Sequence, residues 1–93
     1  MGFERSIMQD SAAVREQIRE WVADAAQRKG IESVKDDELI TQNGVLDSLA
    51  IFRLVSFLED NFGLRIGDDE IVNTNFQSVD EIDRFVTRKL SAK

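Results

Sequence analysis

Gly44-Val45-Leu46-Asp47-Ser48-Leu49, running straight into Ala50-Ile51-Phe52-Arg53-Leu54-Val55-Ser56-Phe57-Leu58, is the stretch on which the reading of this chain turns. From Ser48 the apolar residues recur at helical spacing, about 100° per residue, so that Ile51, Leu54, Val55, Leu58 and Phe62 share one stripe. Leu49, Phe52, Arg53, Ser56 and Asp60 fall on the opposite face. Asp47 suits an N-cap, because a carboxylate there accepts amide hydrogens of the first turn and complements the helix dipole. Ser48 is then the first helical residue, with a free hydroxyl at the positive end of the helix. A phosphate ester on that oxygen would be well tolerated. Gly44 lets the incoming loop turn tightly, and Leu46 is expected to anchor it to the core.

Outward from this helix the periodicity stays helical. In an N-terminal helix Val14, Ile18, Trp21, Val22 and Ala25 follow i, i+3, i+4, i+7 spacing, Asp10 or Ser11 can cap its start, and Arg28-Lys29-Gly30 is a suitable end. Trp21 reads as a core anchor. A polar connection over about residues 30–46 follows, with Leu39 and Ile40 as its pins. Asp68-Asp69-Glu70-Ile71-Val72 suggests one or two helical turns before Asn73. Ser78-Val79-Asp80-Glu81 fits a capping box and opens a last helix with Val79, Ile82, Val86 and Leu90 on one stripe and Phe85 beside it. The expected fold is all-α, a bundle of three long helices and one short one over residues 11–91, preceded by an N-terminal extension, residues 1–10.

Composition narrows the chemistry. The chain has 93 residues, 42% hydrophobic and 32% charged, and no run approaches the roughly 18–20 apolar residues of a membrane span. Residues 1–10 lack the apolar core of a signal peptide. With no Cys there is neither a disulfide framework nor a thiolate metal site, and a cytoplasmic protein is expected. The net charge of −6 disfavours nucleic acid and anionic lipid and favours partners with basic patches. The acids are dense from Asp47 to Phe76, where Asp47, Glu59, Asp60, Asp68, Asp69 and Glu70 face only Arg53 and Arg65. Asp36-Asp37-Glu38 and Asp68-Asp69-Glu70 lack the alternating ligands and central Gly of a calcium loop, so no metal is expected.

Ser48 has no His to activate it, and no carboxylate or Lys is placed by sequence as its base. No catalytic residue is expected, and the chain reads as no enzyme. An attachment point needs no base of its own, because another enzyme makes the bond. On local physics alone, Asp47-Ser48 also reads as a plain helix start.

The stretch resembles the Gly-x-x-Asp-Ser-Leu signature of acyl and peptidyl carrier proteins. Asp37-x-Leu39-Ile40, Leu54-Val55-x-x-Leu58-Glu59-x-x-Phe62-Gly63, Ile66-x-x-Asp69, Phe76 and Ser78-Val79-x-x-Ile82-x-x-Phe85-Val86 extend the likeness, in register, over about residues 12–90. The resemblance implies a four-helix carrier with a covalent 4′-phosphopantetheine arm on Ser48 beside Asp47, carrying acyl or aminoacyl groups as thioesters. Its implied partners are a phosphopantetheinyl transferase, an acyl or aminoacyl ligase and downstream acyl-transfer enzymes. By the same resemblance docking uses Leu49, Phe52, Arg53 and Ser56, with the acids Glu59, Asp60, Asp69 and Glu70 meeting basic partners.

The chain departs from fatty-acid-synthesis carriers where Ala50-Ile51-Phe52-Arg53 replaces an acidic outward face. Arg53 reverses a charge there, which points to a stand-alone carrier of a specialised pathway, aminoacyl and D-alanyl carriers included. A monomer is expected, with no nucleic acid and no membrane among its partners. The alternatives are a helical interaction module that is never modified and, less favoured by the acidic charge, a small DNA-binding bundle.

Overall fold

The computed structural model describes residues 11–92. The extension 1–10, the Asp10 cap and Lys93 lie outside the described residues. Four α-helices follow in order, α1 (Ser11–Arg28), α2 (Ser48–Phe62), α3 (Asn73–Phe76) and α4 (Val79–Ala92), with a 3₁₀ turn at Asp68–Glu70 and no strand among the described residues. The architecture is a small helical bundle. The short helix differs in place from the expectation. Asp68-Asp69-Glu70 makes only the 3₁₀ turn, extended Val72 interrupts the chain, and the short α-helix begins at Asn73.

Each terminus has a local cause. Past Arg28 the chain closes on a Schellman arrangement, with Gly30 N–H donating to Gln27 O at 3.0 Å and Ile31 N–H to Ala26 O at 2.9 Å. Gly30 supplies the required left-handed backbone at φ 78°. At α4, Ser78 is the cap, its Oγ accepting the Glu81 amide at 3.2 Å. The Glu81 carboxylate lies on Arg84 at 2.7 Å.

One core runs through all four helices. Val14, Ile18, Val22 and Ala26 of α1, Leu54, Val55, Leu58 and Phe62 of α2, and Val79, Ile82, Phe85 and Val86 of α4 are buried, with Phe76 of α3 stacked edge-on against Phe85 at 5.3 Å. Trp21 is displaced from the expected role. The buried line of α1 runs through Val22 and Ala26, so Trp21 stands on its flank, half-buried, 6.3 Å from Phe57. Leu90 and Ile51, expected on core stripes, are likewise only half-buried.

The long connection is pinned by Ile40, not by Leu39. Ile40 is fully buried and its amide donates to Gln77 O at 2.8 Å, while Leu39 is 38% exposed. Leu39 O accepts the amides of Gln42 and Asn43, and this turn carries its side chain outward. Earlier in the same connection, Asp36 meets both Arg15 (2.9 Å) and Arg19 (2.7 Å), and Arg15 also reaches Asp80 (2.6 Å) and Asp83 (2.8 Å) of α4. One arginine thus holds α1, the connection and α4 together. Asp80 N–H adds a backbone bond to Asp36 O at 2.9 Å.

Candidate functional site

The approach to Ser48 is built by its own loop. Asn43 Oδ1 accepts the Val45 amide at 3.0 Å, and Asn43 Nδ2 donates to Glu38 at 2.8 Å. Gly44 takes φ 92°, a left-handed conformation that side chains resist. Val45 and Leu46 are buried, and Leu46 N–H donates to Ile40 O at 2.9 Å. The loop is therefore fastened to the core on the residue before Asp47.

Asp47 caps α2 as expected. Its backbone is extended, and its Oδ1 accepts the Ala50 amide at 2.8 Å. Its Oδ2 lies 2.6 Å from Lys29 Nζ, at the end of α1. The Lys29 ammonium, and after it the Ala50 amide, hold the Asp47 carboxyl below the ordinary carboxylate range. Ser48 is the first residue of α2 and is exposed. Its hydroxyl makes no hydrogen bond among the described residues. It is open to an incoming group.

Two clefts flank this position. Between α1 and α2, a cleft of about 200 Å³ is lined by Trp21, Ala25, Arg28, Lys29, Leu49 and Arg53, among others, and reaches Asp47. On the other side, one of about 360 Å³ is lined by Ser48 itself with Leu46, Ile51, Ile71, Val72 and Phe76. The second is mostly apolar and open to solvent; of its lining Leu46 and Phe76 are buried, Ile51 and Ile71 half-buried and Val72 exposed.

The remaining expected site residues separate into two groups. Leu49, Phe52, Arg53, Ser56 and Asp60 all stand exposed on the outward stripe of α2, Leu49 at 62% and Phe52 at 60%. Asp69 is exposed on the 3₁₀ turn. Glu59 and Glu70, by contrast, are engaged within the molecule. Glu59 accepts the Ile66 amide at 2.9 Å, and Glu70 pairs with Lys89 at 2.8 Å while accepting the Gly67 amide at 3.0 Å. Lys89, and then the Gly67 amide, lower the Glu70 carboxyl. Among the described residues no group of three or more ligating side chains could hold a metal ion, and no helix is long and apolar enough to cross a membrane.

Sequence reasoning passed over Lys29, Asn43 and Glu38. The Asn43-Gly44 pair was a readable turn signal. Lys29 was visible only as a helix-end cation, since nothing in its spacing points to Asp47, 18 residues away. No family model, curated protein or solved structure matches the chain.

Proposed function

We propose that this chain is a carrier protein, whose Ser48 hydroxyl accepts a 4′-phosphopantetheine arm from coenzyme A. The observation that carries the reading is the isolation of Ser48. It is an exposed, unbonded hydroxyl at the first position of a capped helix, on a loop fastened to the core immediately before it. Asp47, and not Ser48, does the capping.

In the attachment Ser48 Oγ forms a bond to the phosphorus nearest the pantetheine, the diphosphate bond breaks, 3′,5′-adenosine bisphosphate leaves and the serine proton departs. A transferase performs this step, since no base stands at Ser48. The arm supplies a thiol, which this chain lacks altogether. Its phosphodiester would stand at the positive end of α2, a setting that favours an anion. Lys29 draws off part of the negative charge of neighbouring Asp47. The apolar cleft beside Ser48, between Ile51 and Ile71, offers a surface along which an arm or the start of an acyl chain can lie.

Arg53 on the outward stripe supports a partner set other than that of carriers with an acidic face, hence a specialised pathway. The exposed Leu49 and Phe52 also fit the second reading, an unmodified interaction module.

Intact mass after incubation with coenzyme A and a broad-specificity phosphopantetheinyl transferase tests the proposal. A gain of one phosphopantetheine, absent in Ser48→Ala, is expected. A folded protein that gains nothing overturns the carrier reading and leaves the interaction module.

A further inference from the structure

The charge of the outward face of α2 is not that of the chain. The chain carries −6, yet the cleft beside Leu49 is bordered by Arg28 of α1, Lys29 just past it and Arg53 of α2, against Asp24 and Asp47. Each acid is matched by one base, Arg28 with Asp24 at 2.9 Å and Lys29 with Asp47 at 2.6 Å. Arg53 is left over. It is exposed and makes no ion pair among the described residues. The acids of α2, Glu59 and Asp60, lie roughly 10 Å further along its axis at about 1.5 Å per residue. Glu59 is already committed to the Ile66 amide.

Leu49 and Phe52 project from this patch with more than half their surface in water. Side chains of that size, adjacent on one stripe, contribute to binding when they enter an apolar pocket. An arginine beside them favours carboxylates, which it can hold with two parallel hydrogen bonds. We propose that the Leu49–Phe52 face receives a separate protein whose contact surface is an apolar pocket with carboxylates on its rim.

The occupant follows from charge. A second copy docked with its two-fold axis through this patch, Leu49 and Phe52 on Leu49 and Phe52, would bring Arg53 close to Arg53. A nucleic acid or an anionic bilayer, being extended, would also meet Asp60 and the rest of an acidic surface. A compact acidic rim meets only the basic end of α2. The proposal rests on the carrier reading for its setting, a face adjoining the serine to be modified, and adds the chemistry of the partner.

The test uses two synthetic helical peptides with the same apolar stripe, one flanked by Glu and one by Lys, titrated into isotope-labelled unmodified protein and followed by amide shifts. The Glu peptide should move the amides from Leu49 to Ser56, and raising the salt should weaken it. Arg53→Glu should weaken it roughly five- to tenfold and reverse the preference between peptides. Leu49→Ala/Phe52→Ala should abolish binding while leaving the dispersed spectrum of a folded protein.

Equal affinity for the two peptides, preference of the unaltered protein for Lys, no binding of either, or self-association through these amides would each overturn the proposal. The titration is repeated on Ser48→Ala. A Glu preference there, with no mass gain of the unaltered protein in the attachment assay, removes the carrier reading and keeps the face. A mass gain without the preference does the reverse.

Discussion

Lys29 Nζ lies 2.6 Å from Asp47 Oδ2 while Asp47 Oδ1 accepts the Ala50 amide at 2.8 Å, so a single carboxylate joins the end of α1 to the start of α2. The two bonds differ in weight. A cap satisfies a helix amide that has no other partner, whereas an exposed ion pair is screened and costs side-chain freedom. Asp47→Ala should therefore lower Tm by roughly 4–6 °C, and Asp47→Asn, which keeps the cap, by much less. Lys29→Ala should shift Tm by no more than about 2 °C. Thermal denaturation followed by circular dichroism separates the two contributions.

The long connection offers a paired test at neighbouring positions. Ile40 is fully buried and Leu39 is 38% exposed. Ile40→Ala removes methyl and methylene groups from a packed core and should cost about 2–4 kcal/mol. Leu39→Ala should stay within about 0.5 kcal/mol. Urea denaturation with an unchanged slope measures both.

Gly44 isolates a backbone effect. Its φ is 92°, and a Cβ built there meets nothing within 4 Å. Gly44→Ala should thus cost about 1 kcal/mol through conformational strain with no steric clash, and Gly44→Asn somewhat less. Equilibrium unfolding of the two variants gives the comparison.

Stability should be flat near neutrality and fall in acid. No His, Cys or Tyr is present. Asp36, held low first by Arg19, Glu38, held low first by the Lys35 amide, and Asp47 and Glu70 all have carboxyls below their ordinary range. A carboxyl depressed in the folded state contributes stability above its unfolded pKa and loses it as pH falls through the folded one. The loss should therefore begin below about pH 5 and continue past the ordinary carboxylate range near 4. Urea midpoints from pH 3 to 8 check this, and a decline between pH 6 and 8 would contradict it.

The long helices were legible because each writes its own stripe. Leu54, Val55, Leu58 and Phe62 were readable from spacing alone, as were the Ser78 cap and the Asp47–Ser48 division of labour. The short helix was misplaced because acids at 68–70 satisfy a helix start locally, while the 3₁₀ turn ends where Val72 is extended. Trp21 was set too deep because a stripe drawn through i, i+3 and i+4 is wider than the line a helix buries. Glu59 and Glu70 read as free surface acids because their partners, the Ile66 amide and Lys89, are tertiary neighbours. Long-range pairs such as Arg15 with Asp80 and Asp83, or Lys29 with Asp47, leave no periodic trace in a sequence.

Trp21 is the one tryptophan of the chain, half-buried against Phe57 on the wall of the α1–α2 cleft. The opposite cleft, at Ile51, Ile71 and Phe76, contains no indole. The molecule consequently carries an internal fluorophore that watches one bank of Ser48 and is blind to the other. A chain lying between α1 and α2 would alter its emission; a chain lying toward Ile71 would leave it dark to the event. Without any label, the emission of one side chain would report which of the two clefts a bound chain occupies.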